Sequence, residues 1–402
     1  MDIMPILSTL RRNKVGAMLV GLQIALTLAV IANAGSVIRS HWTDMSRPSG
    51  LDEANVFSMS NQWVGQPDDL SSRIAADMAA LRALPGVVDA EATNSFPLSG
   101  WNWWSGASLK RNQTTPSART SMYVDTDHGL AAQGLKLVAG RWFTPAEVTA
   151  LKFSDVKSAP SAVLTAALAK RLFPDGQALG RSIYVTGDDP ERIVGIVERA
   201  SSGSGSGIDF VEFSTFLSAQ MVSTQLLYVV RTKPGQQKSV MRAARQRLLE
   251  LSRMRILSEA TPFSDSRTKQ FAVAAATSWL LATVCVLMLV ITACGTVGLT
   301  MLWVAQRRRQ IGTRRALGAR RIDILRYFHV ENLLISSIGA LVGIGAGLGA
   351  NLWLANHVAM SRMNPVHIVV GALVVLTLSQ LAVLWPAMRA ARVPPSLAAR
   401  GL

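Results

Sequence analysis

The chain has 402 residues, of which 49% are hydrophobic and only 16% charged, with a mean hydropathy of +0.27. That balance is too apolar for a set of soluble domains and requires long runs hidden in lipid. The net charge of +16 would suggest nucleic acid in a soluble protein, but residues 39–270 carry 26 Lys and Arg against 22 Asp and Glu, so +12 lies in the short flanks of apolar segments. Membrane orientation and anionic lipid account for charge placed there, and no nucleic acid partner is expected.

Residues 1–14 form a short basic cytoplasmic N-terminus with Arg11, Arg12 and Lys14. Val15–Ile38 follows as 24 residues without a charge, enough at ~1.5 Å per residue to cross a ~30 Å hydrocarbon core. Ala32-Asn33-Ala34 looks like a small-residue cleavage site. The run is longer than a signal-peptide core, so 15–38 is expected to be an uncleaved signal anchor, transmembrane helix 1.

Residues 39–270 read as a water-exposed α+β domain. Leu70, Ile74, Met78, Leu81 and Leu84 make a helical stripe that stops at Pro85-Gly86. Ser161–Phe173 is expected to be a second amphipathic helix, and Ile183–Thr186, Ile193–Val197 and Leu226–Thr232 to be strands. Val240–Leu251 is expected to be a third helix. The cluster of Trp101, Trp103 and Trp104 reads either as a loop packed on the core or as an exposed stacking or membrane-surface loop. Ser201–Gly207 has the composition of a flexible linker.

Gln270–Gln306 is a second charge-free run, 37 residues long. As one helix it exceeds a bilayer core, so transmembrane helix 2 with a stalk is assigned to 271–306. Residues 307–331 then carry eight arginines against Asp323 within 307–328. Short loops this rich in arginine stay cytoplasmic, so this stretch is either a topology anchor or a coupling element that meets a separate motor protein. Transmembrane helices 3 and 4 are expected over 332–356 and 364–388, with a cytoplasmic tail over 389–402.

This pattern predicts a membrane protein with four transmembrane helices, one and then three, and a large α+β periplasmic domain inserted between helices 1 and 2. Both termini are expected in the cytoplasm. Gly339, Gly343, Gly345, Gly347 and Gly349 in helix 3 fall at four-residue spacings, which lets helix backbones approach closely in lipid. Gln23, Asn33 and Gln380 are polar intruders expected to form hydrogen bonds between helices. Cys285 and Cys294 lie nine positions apart in one helix, on opposite faces, and are expected to be packing residues.

The sequence contains no G-x-x-x-x-G-K-[ST], H-E-x-x-H or G-x-S-x-G. No catalytic, cofactor-binding or metal-binding residues are expected in this chain. Energy for any transport must come from a partner.

The stretch RRRQIGTRRALGARRIDILRYFHVEN, followed by a glycine-rich span, resembles the FtsX-like permease domain of MacB-type ABC transporters. Ile311, Gly312, Arg314, Arg315, Ala316, Gly318, Ala319, Ile324, Phe328 and Glu331 fill the family pattern, while Gln310 replaces its usual glutamate. LRALPGVVDAEA, DTDHGLAAQGLKLVAGRWF, SAVLTAALAKRLFPDGQALGRSIYV and the final PAMRAARVPPSLAARG resemble the family's periplasmic core and ending, although Pro394-Pro395-Ser396 departs from the usual tail.

The resemblance implies a multi-pass permease of the bacterial inner membrane, without an ATPase domain of its own. It would pair with a second copy or a paralogous permease and bind an ABC ATPase that holds ATP and Mg. A periplasmic adaptor and outer-membrane channel are further partners of such systems. Gln310, Ile311, Gly312, Arg314, Arg315, Ala316, Leu317, Gly318 and Ala319 are assigned to ATPase coupling. The implied function is export of a peptide, antibiotic or similar small molecule. Lipoprotein extraction, or an FtsX-like signalling scaffold that activates a periplasmic partner, are the alternatives.

Overall fold

The computed structural model describes residues 14–100, 103–151, 159–187, 189–202, 210–357 and 363–392. Trp101, most of the Ser201–Gly207 linker, the N-terminal basic residues before Lys14 and the Pro394-Pro395-Ser396 tail lie outside them. The chain divides into two compact units, residues 44–273 and the helical remainder on either side.

In the first unit, β1 (Val56–Trp63), α2 (Leu70–Arg82) and β2 (Val87–Thr93) are followed by β3 (Trp103–Ala107), β4 (Ala118–Asp125), α3 (Gly129–Gln133), β5 (Leu137–Gly140) and β6 (Thr149–Leu151); helix α1 belongs mainly to the other unit and is given below. Next come β7 (Ser161–Thr165), α4 (Ala166–Leu172), β8 (Ser182–Ile183), β9 (Glu191–Val197), β10 (Ser214–Met221), β11 (Gln225–Thr232), α5 (Gln237–Leu251), β12 (Arg255–Leu257) and β13 (Thr261–Pro262). They build two sheets. A five-stranded antiparallel sheet runs β12-β1-β11-β2 with β13 on β1. A mixed eight-stranded sheet runs β3-β4-β10-β7-β9-β5, with β6 on β10 and β8 on β9.

The stripe predicted from Leu70 onward becomes α2, which buries Ile74, Met78 and Leu81. Helix α5 buries Val240, Ala244 and Leu248, spaced four apart on one face. Ser161–Phe173 corrects the expectation of one helix: Ser161–Thr165 is a fully buried strand between β10 and β9, and only Ala166–Leu172 is helical. A strand covered on both faces loses the alternation that identifies an exposed one, so SAVLT blends into the apolar helix after it. Ile183–Thr186 pairs only briefly, as β8 and a bridge from Tyr184 to Ser108. Trp103 and Trp104 lie on edge strand β3 rather than in a loop; Trp103 packs against the core, while Trp104 is 65% exposed near Arg119.

Two charged clusters sit inside this unit. Arg255 on β12 grips Asp77 on α2 with two hydrogen bonds, Nη1–Oδ2 at 2.7 Å and Nη2–Oδ1 at 2.9 Å, and both side chains are buried. The Tyr228 hydroxyl donates to the same carboxylate at 2.6 Å, and the Trp63 ring lies 4.0 Å from the guanidinium carbon. This carboxylate thus ties α2 directly to β12 and β11, and Arg255 extends the network to β1 through Asn61 and Trp63. The second cluster joins the two sheets: Gln133 Nε2 donates to Glu91 on β2 at 2.7 Å and to Asp125 on β4 at 2.8 Å. Burial pushes the Glu91 carboxyl up to about 7, and burial together with the charge of Glu91 raises Asp125 well above the carboxylate range.

Among the described residues, four helices are long and apolar enough to cross a membrane: α1 (Lys14–Ser46), α6 (Phe263–Gln306), α8 (Arg321–His357) and α9 (Pro365–Ala391). Between α6 and α8 lies the short helix α7 (Arg308–Ala316). The α+β unit is inserted between the first and second membrane helices. Helix α9 starts with Asn364 accepting from the Val366 N–H at 3.0 Å and with Pro365 in the first turn, where its missing donor costs nothing.

The glycines of α8 divide by face. A Cβ at Gly339 would stand 2.6 Å from the Gly21 carbonyl oxygen, and one at Gly343 would stand 2.7 Å from that of Ala25. Helices α1 and α8 therefore touch backbone to backbone at these two positions. Gly347 lies against Ala29 at ordinary contact distance, while nothing lies within 4 Å of Gly345 or Gly349.

Polar side chains join the helices as expected for a medium that offers no water. Gln23 donates to the Ile291 carbonyl at 2.9 Å, Asn33 to that of Gly347 at 3.1 Å, and Thr27 shares a hydrogen bond with Thr292 at 2.8 Å. Asn332 donates to the Ser379 hydroxyl at 2.9 Å, and Gln380 Oε1 lies 3.0 Å from His329 Nδ1.

Candidate coupling element

The backbone turns twice between α6 and α8, and local chemistry accounts for each turn. Arg307 (φ −102°, ψ 9°) separates α6 from α7, yet its N–H still reaches the Trp303 carbonyl and its own carbonyl accepts from Ile311. The helix is interrupted there with both backbone groups of Arg307 still paired. At the far end of α7, Gly318 takes φ +96°, the Gly318 N–H donates to the Arg315 carbonyl and the Ala319 N–H to that of Arg314. This is a Schellman stop, which satisfies the last carbonyls of the helix and favours glycine at the left-handed position. The A-x-G-A segment is thus a helix terminator.

Helix α8 opens on the stretch's one acid. Asp323 Oδ2 accepts from the Arg320 N–H at 2.9 Å, and its charge lies against the positive end of the helix. The end of the arginine-rich stretch and the third membrane helix are therefore one helix from Arg321 onward, whereas the sequence placed the start of that span at 332.

The assigned coupling residues separate into two faces. Ile311 and Gly312 are buried, Ile311 among Val304, Ile324, Phe328, Val383, Ala387 and Ala390. They fix α7 to the bundle and leave the outer face to others. Arg315 is partly buried and donates to the Ala391 carbonyl at 3.0 Å, binding α7 to the end of α9. Gln310, Arg314, Ala316, Leu317 and Gly318 are exposed, and Ala319 is half-buried. The Arg314 guanidinium carbon lies 5.2 Å from the Tyr327 ring centroid. Leu317 is 84% exposed and Ile322 50%. The result is an apolar tip set among Arg308, Arg309, Arg314, Arg320 and Arg321, all solvent-facing.

One pair escaped the sequence reading. Arg307 Nη1 contacts both oxygens of Glu331, at 3.1 and 2.9 Å, and the two side chains are 10% and 2% exposed. Sequence grouped Arg307 with the other arginines of the stretch and Glu331 with the residues that fill the family pattern, without pairing them. The available signal was their position at the two ends of the arginine pattern, 24 residues apart, with opposite charges.

Comparison with known proteins matches two family descriptions to successive parts of the chain. The description "MacB-like periplasmic core domain" matches residues 23–247, and "FtsX-like permease C-terminal" matches residues 282–395. The macrolide export ATP-binding/permease protein MacB 2 of Aeromonas hydrophila is 26% identical over 350 residues, covering 85% of this chain and 50% of its own. The protein named MacB in Chromobacterium violaceum is 26% identical over 384 residues, covering 92% of this chain and 55% of its own. The crystal structure of the periplasmic region of MacB from Actinobacillus actinomycetemcomitans aligns with 57% of this chain and 97% of that one, at 14% identity and a TM-score of 0.32.

The chain spans about half the length of the curated relatives it matches. Because the core-domain match alone runs from residue 23 to 247 and the permease match takes in the arginine-rich turn between α6 and α8, the chain belongs to the family of MacB-like ABC transporter permeases.

Proposed function

We propose that this chain is the membrane subunit of an ATP-driven MacB-type transporter in the bacterial inner membrane. Its α+β unit lies in the periplasm, its termini and the turn containing α7 lie in the cytoplasm, and an ABC ATPase with bound ATP and Mg docks on that turn. The observation that carries the reading is Leu317. Leu317, 84% exposed, and Ile322, 50% exposed, give this turn an apolar tip ringed by cations and closed by a dedicated helix stop, the kind of surface that a docking partner covers. The exposed arginines favour a partner with an acidic rim and make association sensitive to salt.

In this reading a second permease chain completes the membrane part. The shift that ATP binding imposes on the motors enters α7, and α6 carries it away. Helix α6 is 44 residues long, or ~66 Å at ~1.5 Å per residue, and its first residue, Phe263, is buried in the α+β core with Phe96. Movement of the α+β unit drives export of a peptide, antibiotic or similar small molecule, with a periplasmic adaptor and outer-membrane channel completing the route.

The test is affinity purification of the tagged chain from native membranes, with ATP hydrolysis assayed on the eluate. An ATP-hydrolysing subunit is expected to co-elute, and Leu317→Asp is expected to remove it while the permease inserts normally. Elution of the wild-type chain without such a subunit under mild conditions would refute the proposal.

A further inference from the structure

The joint between α6 and α7 holds a buried charge pair that the docking face does not require. Arg307 stands at the break itself, and Glu331 stands three helical turns into α8. Besides the two contacts with Glu331, Arg307 Nη1 lies 3.4 Å from the Tyr327 hydroxyl, and the guanidinium carbon is 5.8 Å from the Trp303 ring centroid. Nη2 is buried without a hydrogen-bond partner among the described residues. Apolar side chains of similar volume would hold such a site at least as tightly as an ion pair, so stability alone does not explain the pair. An ion pair does what apolar packing does not: it specifies one geometry, because any other leaves a charge stranded.

We propose that Arg307 and Glu331 are positioning residues that lock the angle of α7 against α6 and α8. With the latch closed, a push on α7 moves α6 as a unit; with it open, the push is absorbed by bending at residue 307. This rests on the coupling role proposed above for its functional meaning, but the latch itself is a property of this chain. It accounts for the placement of one cation and one anion at opposite ends of the stretch. Arg308, Arg309, Arg314, Arg320 and Arg321 remain on the solvent side, where they serve docking.

The experiment uses the full chain in lipid nanodiscs, with Cys285 and Cys294 replaced by alanine and spin labels at positions 302 and 317. The distance distribution between the labels reports the α6–α7 angle, and ATPase co-elution is measured on unlabelled chains that keep Leu317 and carry the same latch residues. The unmodified latch is expected to give one narrow distribution. Glu331→Gln is expected to make it about twofold wider, and the exchanged pair R307E/E331R to narrow it again. If single variants insert poorly, R307M/E331L leaves no buried charge unpaired and is expected to insert well yet stay wide.

An unchanged width in Glu331→Gln and in R307M/E331L overturns the latch. Widening that the exchanged pair fails to reverse also overturns it, because the effect would then be one of packing. If the widths behave as expected but no ATPase co-elutes with the wild-type latch, the latch stands and the transporter reading falls.

Discussion

Two buried arginine–carboxylate pairs, one in each unit, solve different problems with the same chemistry. In the α+β unit Asp77 accepts two bonds from Arg255 and one from Tyr228, and a Trp63 face lies over the guanidinium. The network is anchored to a helix and three strands, so no element can shift without breaking it. In the helical unit Glu331 meets Arg307 through one nitrogen only, and the second terminal nitrogen is left without a partner. The first pair fastens a helix to a sheet; the second sits at the junction of α6 and α7 and sets one angle there. Burial of charge thus marks rigidity where several elements share the carboxylate, and a set point where a single guanidinium nitrogen holds it.

The comparison is broken most severely at Asp77. Asp77→Ala strands Arg255 in the core and is expected to destabilise the α+β unit by about 3–5 kcal/mol, read as a lowered thermal midpoint of the full chain in detergent. The double replacement D77L/R255M is expected to recover a large part of that loss.

Next come the helix contacts. Gly343→Leu would drive a side chain into the α1 backbone and is expected to cost about 1–3 kcal/mol of helix packing, seen as steeper denaturation in a detergent series. Gly345→Leu, with open space around it, is expected to match wild type. Equal behaviour of the two would contradict the facing of α8.

A third, graded effect comes from Glu91 and Asp125. Both carboxyls are raised, so the folded state binds more protons than the unfolded chain between the two sets of pKa values. Their contribution to stability is full below the unfolded pKa near 4.5 and is lost as pH rises through the folded value of about 7 for Glu91. The charged neighbours are Asp89, Asp127, His128 and Arg82, with Asp52 and Arg231 beyond Gly134. Amide exchange over residues 120–133 is expected to quicken from roughly pH 5 to pH 8 beyond its intrinsic rise, and Glu91→Gln to flatten that excess.

Much of this organisation was legible in the sequence because the bilayer simplifies the code. Four uncharged runs reported the spans, and the Leu70–Leu84 stripe reported α2. Limits appeared where one pattern serves two environments. SAVLT and AALAKRL are both apolar, and only the neighbours β10 and β9 make the first a strand. Charge located the arginine turn but not its internal design, since it does not say that Gly318 ends a helix or that Arg321 begins one. Nor does it distinguish Arg307, turned inward to Glu331, from Arg308 beside it, which is exposed. Ile311 and Gly312 were grouped with Leu317 by motif, and the fold separates them by face.

The smallest effect on stability is expected at Leu317, where Asp should change the midpoint by less than about 0.5 kcal/mol because the side chain touches almost nothing. That silence makes position 317 the best probe of the docking claim. The decisive measurement is site-specific photo-crosslinking in native membranes from position 317, with position 280, an exposed site within α6, as control. The docking account predicts an adduct between position 317 and an ATP-hydrolysing protein, and none from position 280. No such adduct from 317, or the same adduct from both positions, would contradict it.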